Sequence, residues 1–221
     1  MDNESRAILL KDSRENTLAG PHAQYLVSLA RQGYNPAVIY DIGSSLLYWC
    51  SEAQRIWPGA IVICFDGMEE LDFLYESTPF QFVPAILSDS AKVVKWYQND
   101  RLPGGNSYFR EKKGHTFPEN RYRECTTVTL DEVVQQKHLP YPDLIKLDVQ
   151  GAESDVLRGA TKCLEHCTRL IVEIQREEYN EGAPLLGQTL PFVESLGFYC
   201  EAPLFCDNGP DGDYGFARKP N

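Results

Sequence analysis

The stretch Asp143-Leu-Ile-Lys-Leu-Asp148-Val-Gln-Gly-Ala-Glu153 predicts the centre of the fold. Its residues 144–147 have the composition of a short buried strand, which ends at Asp148. Gly151 then predicts a turn into a helix that begins near Glu153. Because ligands bind at the carboxyl ends of strands in open α/β sheets, an acid at this position indicates a functional site.

Two further apolar runs also end in an acid. Val38-Ile-Tyr precedes Asp41 and Gly43, and Ile61-Val-Ile-Cys-Phe precedes Asp66. A glycine in such a turn lets the backbone approach a ligand, and an acid about twenty residues later binds ribose hydroxyls in dinucleotide folds. The sequence has no G-x-G-x-x-G motif after these strands, so adenosine without a pyrophosphate fits this pattern better than NAD.

The remaining periodicity predicts helices and strands in alternation, as expected for an α/β fold. Residues 1–20 are polar and predict a mobile or loosely docked lead-in, followed by a packing helix that could form part of a lid. The predicted helices are 24–32, 46–55, 69–76, 130–136 and 184–196. The predicted strands, besides those above, lie within 80–89, 93–97, 126–129, 170–174, 198–200 and 214–217.

Composition limits the classes of function. The length of 221 residues, 43% of them hydrophobic, fits one domain, and we divide it into a lead-in and helix (1–37) and a main domain (38–221). The formal charge of −11 argues against nucleic acids and anionic membranes as partners. No apolar run predicts a membrane span or a signal peptide, and the seven scattered cysteines indicate reduced thiols of a cytoplasmic protein, not disulfides or zinc ligands.

Residues 99–124 form the least regular part of the chain. The segment contains several basic residues in an otherwise acidic protein. A connection of this length is usually functional or disordered, so it predicts either an acceptor-binding lid or a solvated surface loop. His115 is a candidate base within it, although isolated loop histidines are more often only solvated.

Together these motifs resemble the FkbM family of S-adenosylmethionine-dependent methyltransferases. The resemblance rests on Asp143 to Ala160 and, with it, on Asp41-Ile-Gly43, Asp66, Leu87-Ser-Asp89, Gly105-Asn-Ser107 and Thr129-Leu-Asp-Glu132. It covers most of the chain, from about Val38 to Lys219. The family implies a class I methyltransferase (Rossmann-like) fold, with a mostly parallel seven-stranded sheet and helices on both faces. It also implies methyl transfer to oxygen, typically to a hydroxyl of a sugar or small metabolite.

The resemblance also assigns roles to individual residues. Cofactor-binding positions would be Asp41, Gly43 and Ser44 at the methionine end, Asp66 and Gly67 at the ribose, Ser88 and Asp89 at the adenine, and Asp148 facing the methyl group. Acceptor-binding positions would be Asn106, Ser107 and His115. The oligomeric state does not follow from these motifs.

The chemistry of a hydroxyl acceptor requires a base, for which Asp148 is the first candidate and Glu153 the second. Lys146 shares a strand face with Asp148, so we expect the two to pair and Asp148 to stay ionised. Two carboxylates without a histidine, Asp148 and Glu173, would favour magnesium or calcium over zinc, but the predicted site includes no metal.

Two departures from the family pattern leave alternatives open. Ser44, Ser45 and Leu47 replace the usual Ala, Asn and Gly of D-x-G-A-N-x-G, and Asp66-Gly67 replaces a glutamate followed by proline. Leu47 is expected to crowd the turn and weaken cofactor binding. The alternatives to an active O-methyltransferase are therefore a cofactor-binding homologue with lost or weakened catalysis and a nicotinamide-dependent oxidoreductase.

Overall fold

The computed structural model describes residues 1–15, 17–18, 20–112 and 116–220. The strands in these residues are β1 (Val38–Ile42), β2 (Ile61–Asp66), β3 (Gln81–Pro84), β4 (Val93–Trp96), β5 (Arg123–Thr126), β6 (Leu144–Leu147), β7 (Arg169–Gln175), β8 (Phe198–Asp207) and β9 (Asp211–Arg218). The α-helices are α1 (Asn3–Glu15), α2 (Gly20–Arg31), α3 (Tyr48–Ile56), α4 (Asp72–Tyr75), α5 (Leu130–Lys137), α6 (Glu153–Arg158), α7 (Thr161–His166) and α8 (Leu186–Ser195).

Seven strands form one sheet in the order β3-β2-β1-β6-β7-β9-β8. Pairing is parallel from β3 to β7, and β9 is antiparallel to both of its neighbours. After β1 the chain adds β2 and then β3 on one side of the sheet, and after β6 it adds β7 on the other side. The strand order therefore reverses between β1 and β6. A reversal of this kind leaves a crevice at the carboxyl ends of the two strands. The predicted α/β class and the mostly parallel sheet are confirmed.

Side chains along the central strands point alternately to the two faces of the sheet, so each face has its own buried core. In β1, Tyr40 and Ile42 face one buried cluster and Ile39 faces the other. Strands that are covered on both faces read as continuous apolar runs, which is why β1, β2 and β6 were recognisable in the sequence. Asp41, Asp66 and Lys146 are the charged exceptions, and all three are buried.

The expectation of a loose N-terminal lead-in is wrong. Residues 3–15 form α1, which Asp2 caps by accepting a 2.7 Å hydrogen bond from the backbone N–H of Ser5. Leu9 is fully buried in the cluster that includes Leu26 of α2 and Ile39 of the sheet. One buried apolar position in thirteen polar-rich residues gives little periodicity, so the helix was not visible in the sequence. The division at residues 37 and 38 stays a prediction.

The accessory sheet differs from the prediction in the position of its second strand. β4 pairs antiparallel with β5, which ends at Thr126, whereas the sequence predicted a strand at 126–129. Residue Thr129 instead caps α5, and the predicted capping box with Glu132 is confirmed. A cap needs only local backbone geometry, whereas the residues that form a strand depend on a partner strand that is distant in sequence.

Two further strands are longer than predicted. β8 and β9 pair over most of their length, with register irregularities near Ala202, and the turn between them is limited to residues 208–210.

In the described part of the chain, no helix has both the length and the apolar character needed to span a membrane.

Candidate active site

The carboxyl ends of β1, β2 and β6 meet around Gly43. Its φ of +80° is a left-handed conformation, and an added Cβ would lie 1.8 Å from the backbone oxygen of Asp148. Backbone N–H groups of Gly43 and Ser44 donate to the carbonyl of Phe65, at 2.9 and 3.1 Å. Glycine is therefore required here, because the loop after β1 lies directly against the loop after β6.

Asp66 at the end of β2 is held by the backbone. Its carboxylate accepts hydrogen bonds from the N–H of Ser45 at 3.0 Å and the N–H of Met68 at 2.9 Å. Burial raises the pKa of Asp66 to about 6, and these two donors oppose the shift. A carboxylate has about four acceptor sites, so two remain for hydroxyl groups in the adjacent pocket.

Lys146 forms the charged centre of the site. Its ammonium lies 3.1 Å from Oδ2 of Asp148 and 3.6 Å from Oδ1 of Asp41. Burial lowers the pKa of Lys146, but attraction to the two carboxylates outweighs it, so the pKa is raised overall. The expected pairing of Lys146 with Asp148 is confirmed, and Asp41 joins it as a second buried partner.

Asp148 lines the pocket with a third of its side chain exposed (33%). Burial alone would raise the pKa of Asp148, but attraction to Lys146 and a hydrogen bond from Gln150 hold it below its usual range. The amide nitrogen of Gln150 donates to Asp148 at 2.9 Å and to Glu173 at 2.8 Å. Gln150 thus joins the ends of two adjacent strands, and it adopts a left-handed φ of 54° to do so.

Glu173 and Glu153 are both buried near Asp148. Burial and the charge of Asp148 raise the pKa of Glu173 well above its usual range. Burial also raises the pKa of Glu153 to about 7. The carboxylate of Glu153 accepts from the backbone N–H groups of Val149 and Gly151, at 2.9 and 3.2 Å, and it does not line the pocket. These contacts are those of a residue that holds the loop, while its role as a second base stays a prediction.

A pocket at this edge encloses about 580 Å³ of empty space, part of it open to solvent. Its lining includes Gly43, Asp66, Gly67 and Asp148, and five residues of the irregular 99–124 segment: Pro103, Gly104, Asn106, Ser107 and Tyr108. The segment therefore contributes a wall of the pocket, and its role as an acceptor lid stays a prediction.

Of the other predicted site residues, Asn106 and Ser107 line this pocket and Ser44 does not. Asn106 and Ser107 line it but also hold the loop: Asn106 Oδ1 accepts from Asn99 N–H at 2.7 Å, and Ser107 Oγ donates to the carbonyl of Val149 at 3.1 Å. The hydroxyl of Ser44 lies 2.7 Å from that of Tyr75, outside the lining.

The two residues predicted to flank adenine lie next to the pocket lining in sequence. Ser88 and Asp89 follow the lining residue Leu87 but do not line the pocket themselves. Lys92 pairs with Asp89 at 2.9 Å and, through its hydrogen bond, lowers the pKa of that carboxyl. A role with adenine stays a prediction for both. His115 lies outside the described residues.

Sequence reasoning missed Trp96, Tyr108 and Gln150, all of which line the pocket. Trp96 comes from β4 and lies over Gly67, where an added Cβ would be 2.5 Å from the indole ring and 3.0 Å from Ile86. The absence of proline after Asp66 is thus explained, since the glycine leaves room for an aromatic wall. A lone tryptophan in a short accessory strand gave no signal of this contact.

Leu47 does not crowd the pocket as expected. Its side chain is 7% exposed and packs in the cluster that contains Trp49, Cys50 and Met68, outside the pocket lining. The backbone accommodates it with a left-handed φ of 69° at the N-cap of α3, which delays the helix to Tyr48. The leucine therefore fits in this loop because the backbone takes a strained, left-handed conformation.

The sequence profile of the methyltransferase FkbM domain matches residues 85–200, more than half of the chain. The chain belongs to the FkbM family. A relative, the hexuronic acid methyltransferase AglP of Haloferax volcanii, is 42% identical over 48 residues. That segment is 22% of this chain and 20% of AglP, so the match spans about a fifth of the relative's length.

Solved structures agree with the family at the level of fold. Precorrin-6y C5,15-methyltransferase from Geobacter metallireducens GS-15 is 14% identical with a TM-score of 0.52, covering 95% of this chain and 96% of that one. A TehB-like SAM-dependent methyltransferase from Corynebacterium glutamicum ATCC 13032 is 14% identical with a TM-score of 0.51, covering 98% and 97%. The FkbM chain therefore has the class I methyltransferase fold.

The wall over Gly67 gives a first prediction. In Gly67→Ala the new methyl group would displace the Trp96 ring, at the usual stability cost of overpacking of about 1–3 kcal/mol, and we expect adenosylmethionine binding to weaken because the displaced ring reshapes the pocket wall. Titration calorimetry measures the change. Gly59→Ala is the matched control, because a Cβ there meets nothing within 4 Å. Equal affinity in both variants would show that Trp96 does not shape the cofactor pocket.

The second prediction concerns Leu47. Leu47→Gly relieves left-handed strain of about 1–2 kcal/mol but loses a buried side chain whose truncation costs about 2–5 kcal/mol. We expect a lower free energy of unfolding in urea, with adenosylmethionine affinity little changed. Ser45→Gly, at a φ of 43°, is the control that relieves strain without losing a large buried group, and should not destabilise. Tighter cofactor binding by Leu47→Gly would restore the crowding interpretation.

Proposed function

We propose that this FkbM-family chain is an S-adenosylmethionine-dependent methyltransferase that acts on a hydroxyl of a sugar or small metabolite. The observation that carries the proposal is the pocket at the strand-order reversal, which gathers Gly43, Asp66 and Asp148 into one lining. These three residues come from the ends of three different strands. Sheet topology alone brings them together, at the edge where α/β folds bind ligands.

The residues present fit an adenosine cofactor. Asp66 offers its remaining acceptor sites to the ribose hydroxyls, and the backbone fixes the carboxylate despite a side chain shorter than the family's glutamate. Trp96, Ile86 and Leu87 supply an apolar wall suited to a flat base. Gly43 keeps the floor of the pocket open, because any side chain there would meet the Asp148 carbonyl. Asp41 would lie below the methionine end.

Bound adenosylmethionine would supply an electrophilic methyl group. The protein's part is to align the acceptor oxygen, since orientation alone can be worth roughly 7–11 kcal/mol. Asp148 is ionised and paired with Lys146, so it can accept a hydrogen bond or a proton from the acceptor hydroxyl. A positioned base typically adds about 10²–10⁴-fold to the rate. Asn106, Ser107 and Tyr108 form the wall at which the acceptor would enter.

A sugar or glycan hydroxyl is supported by the named activity of AglP, a hexuronic acid methyltransferase. The formal charge of −11 agrees with a small-molecule acceptor and disfavours polyanions. All seven cysteines are free, and five of them are buried, as is typical of a protein in a reducing compartment. We therefore propose a cytoplasmic location.

Calorimetry and a methyl-transfer assay test the proposal together. Titration with adenosylmethionine and with NAD identifies the cofactor, and labelled methyl transfer to a panel of sugars and hydroxylated metabolites identifies the acceptor. Binding of adenosylmethionine with turnover supports the proposal. Binding without turnover on a broad panel would indicate a homologue that has lost catalysis, and binding of NAD instead would indicate an oxidoreductase.

The third prediction concerns the cofactor. Asp66→Ala should weaken adenosylmethionine binding by about 1–3 kcal/mol, because the ribose hydroxyls would lose their buried partner. Glu69→Ala, an exposed carboxylate in the same loop, is the control and should bind as the wild type does. Melting curves for both variants establish that they are folded. Unchanged affinity in a folded Asp66→Ala protein would remove Asp66 from the cofactor site.

The fourth prediction concerns the base. Asp148→Asn keeps the shape of the side chain, so cofactor affinity should stay close to the wild-type value while single-turnover methyl transfer falls by about 10²-fold or more. The control is Asp72→Asn, an exposed position after β2. A stability loss with a normal rate would assign Asp148 to the loop structure alone, and the search for the base would move to Glu153 and His115.

A further inference from the structure

A second cluster of chemically active side chains lies on the antiparallel side of the sheet. Cys206 of β8 and Asp213 of β9 are direct cross-strand partners, and His22 of α2 covers them. A ring nitrogen of His22, the Cys206 sulfur and a carboxylate oxygen of Asp213 all lie within 4.8 Å of one another. We name this group the α2–hairpin cluster.

All three members are buried, with exposures of 7% for His22, 4% for Cys206 and 2% for Asp213. Nε2 of His22 lies 2.8 Å from Oδ2 of Asp213. Its other ring nitrogen, Nδ1, is buried without a hydrogen-bond partner in the described structure. A buried polar atom without a partner is uncommon, so the imidazole of His22 is satisfied on its Nε2 side alone.

The outer side of the cluster is closed by Asn208. Its amide donates to Oδ2 of Asp213 at 3.2 Å, and its Oδ1 lies 3.5 Å from the sulfur of Cys206. Asn208 is exposed, so the cluster lies just beneath the surface and an ion has a short path to it. The amide oxygen or a water molecule could complete a four-coordinate shell.

The charge around the cluster favours a cation. Asp213 lies opposite Glu173 of β7 in the sheet register, and Asp211 is buried on the same strand with Oδ1 unpartnered. Asp207 is exposed and pairs with Arg176, and the buried ammonium of Lys146 also attracts Asp213. A dication would reduce the repulsion among these four acidic side chains, which outnumber the two basic ones, Arg176 and Lys146.

We propose that His22, Cys206 and Asp213 bind one zinc ion. Imidazole nitrogen, thiolate sulfur and carboxylate oxygen are the ligands that zinc takes, at about 2.0–2.3 Å. Tetrahedral coordination requires the 2.8 Å contact between His22 and Asp213 to widen by about 0.5 Å, a shift within the reach of side-chain rotation.

The ion would fasten α2 to the β8–β9 hairpin. Tyr25 of the same helix stacks on Phe205 with ring centroids 4.2 Å apart, so this helix face already packs against the hairpin. Because the ligands come from sites almost two hundred residues apart, the metal would close a long loop and stabilise the folded state. None of the three ligands lines the proposed methyl-transfer pocket, and the zinc proposal does not depend on the function of that pocket.

The test uses the full chain, freed of metal by a chelator and dialysed. We expect zinc alone to bind at one ion per chain and to raise the melting temperature, and cobalt to give a thiolate-to-metal absorption band. Cys206→Ser should weaken zinc binding by more than the roughly 10–100-fold that loss of an outer-shell partner costs. Cys200→Ser, on the same strand but outside the cluster, is the matched control and should bind zinc normally.

Two results would overturn the proposal. The first is the absence of stoichiometric zinc and of the cobalt–thiolate band in the wild type, which would leave His22 and Asp213 as an ordinary hydrogen-bonded pair. The second is zinc that survives in Cys206→Ser but is lost in Cys50→Ser, which would assign the metal to the other buried group, Asp41, Cys50 and Cys64. If Cys206→Ser does not fold, His22→Gln gives the same comparison, and the wild-type cobalt band still decides.

Discussion

The site depends on one buried cation, Lys146, placed between the carboxylates of Asp41 and Asp148. A lysine this deeply buried is stable only when it is paired, because removing one member of a buried ion pair typically costs about 3–5 kcal/mol. Asp41 lies in β1 and Asp148 directly follows β6. The ion pair therefore fixes the two strands at the point where the strand order reverses, which is where the pocket opens.

Backbone packing at the same point explains why the sequence around it is so restricted. Gly43 lies against the carbonyl of Asp148, and the loop after β6 is held from below by Glu153. The side chain of Asp148 is thus positioned by its own loop, by Lys146 and by Gln150. These restraints hold the carboxylate in one position, which the proposed role of Asp148 requires because small misplacements of reacting groups are costly.

The part of this arrangement that was predictable from sequence is the part encoded locally. Apolar runs ending in Asp41, Asp66 and Asp148 identified the central strands and the edge where they meet. Spacing of two along β6 placed Lys146 on the same face as Asp148. The capping box of Thr129 and Glu132 was readable for the same reason, because both of its hydrogen bonds lie within four consecutive residues.

What was not predictable depends on contacts between distant segments. Trp96 reaches Gly67 only because the accessory sheet folds over the end of β2. Leu47 suggested a crowded turn, but its left-handed backbone directs the side chain into the core. Likewise, His22 and Cys206 are separated by most of the chain, so a search for C-x-x-C could not reveal a cluster that only the tertiary fold assembles.

Asp148 and Glu173 are neighbouring acids in very different electrostatic environments. Their environments push the two pKa values apart, lowering that of Asp148 and raising that of Glu173. Such a separation is typical of paired acids with different roles. Gln150 donates its amide N–H groups to both carboxyls, so it cannot pass a proton between them. If Asp148 takes a proton as we propose, the exposed third of its side chain gives that proton a route to solvent.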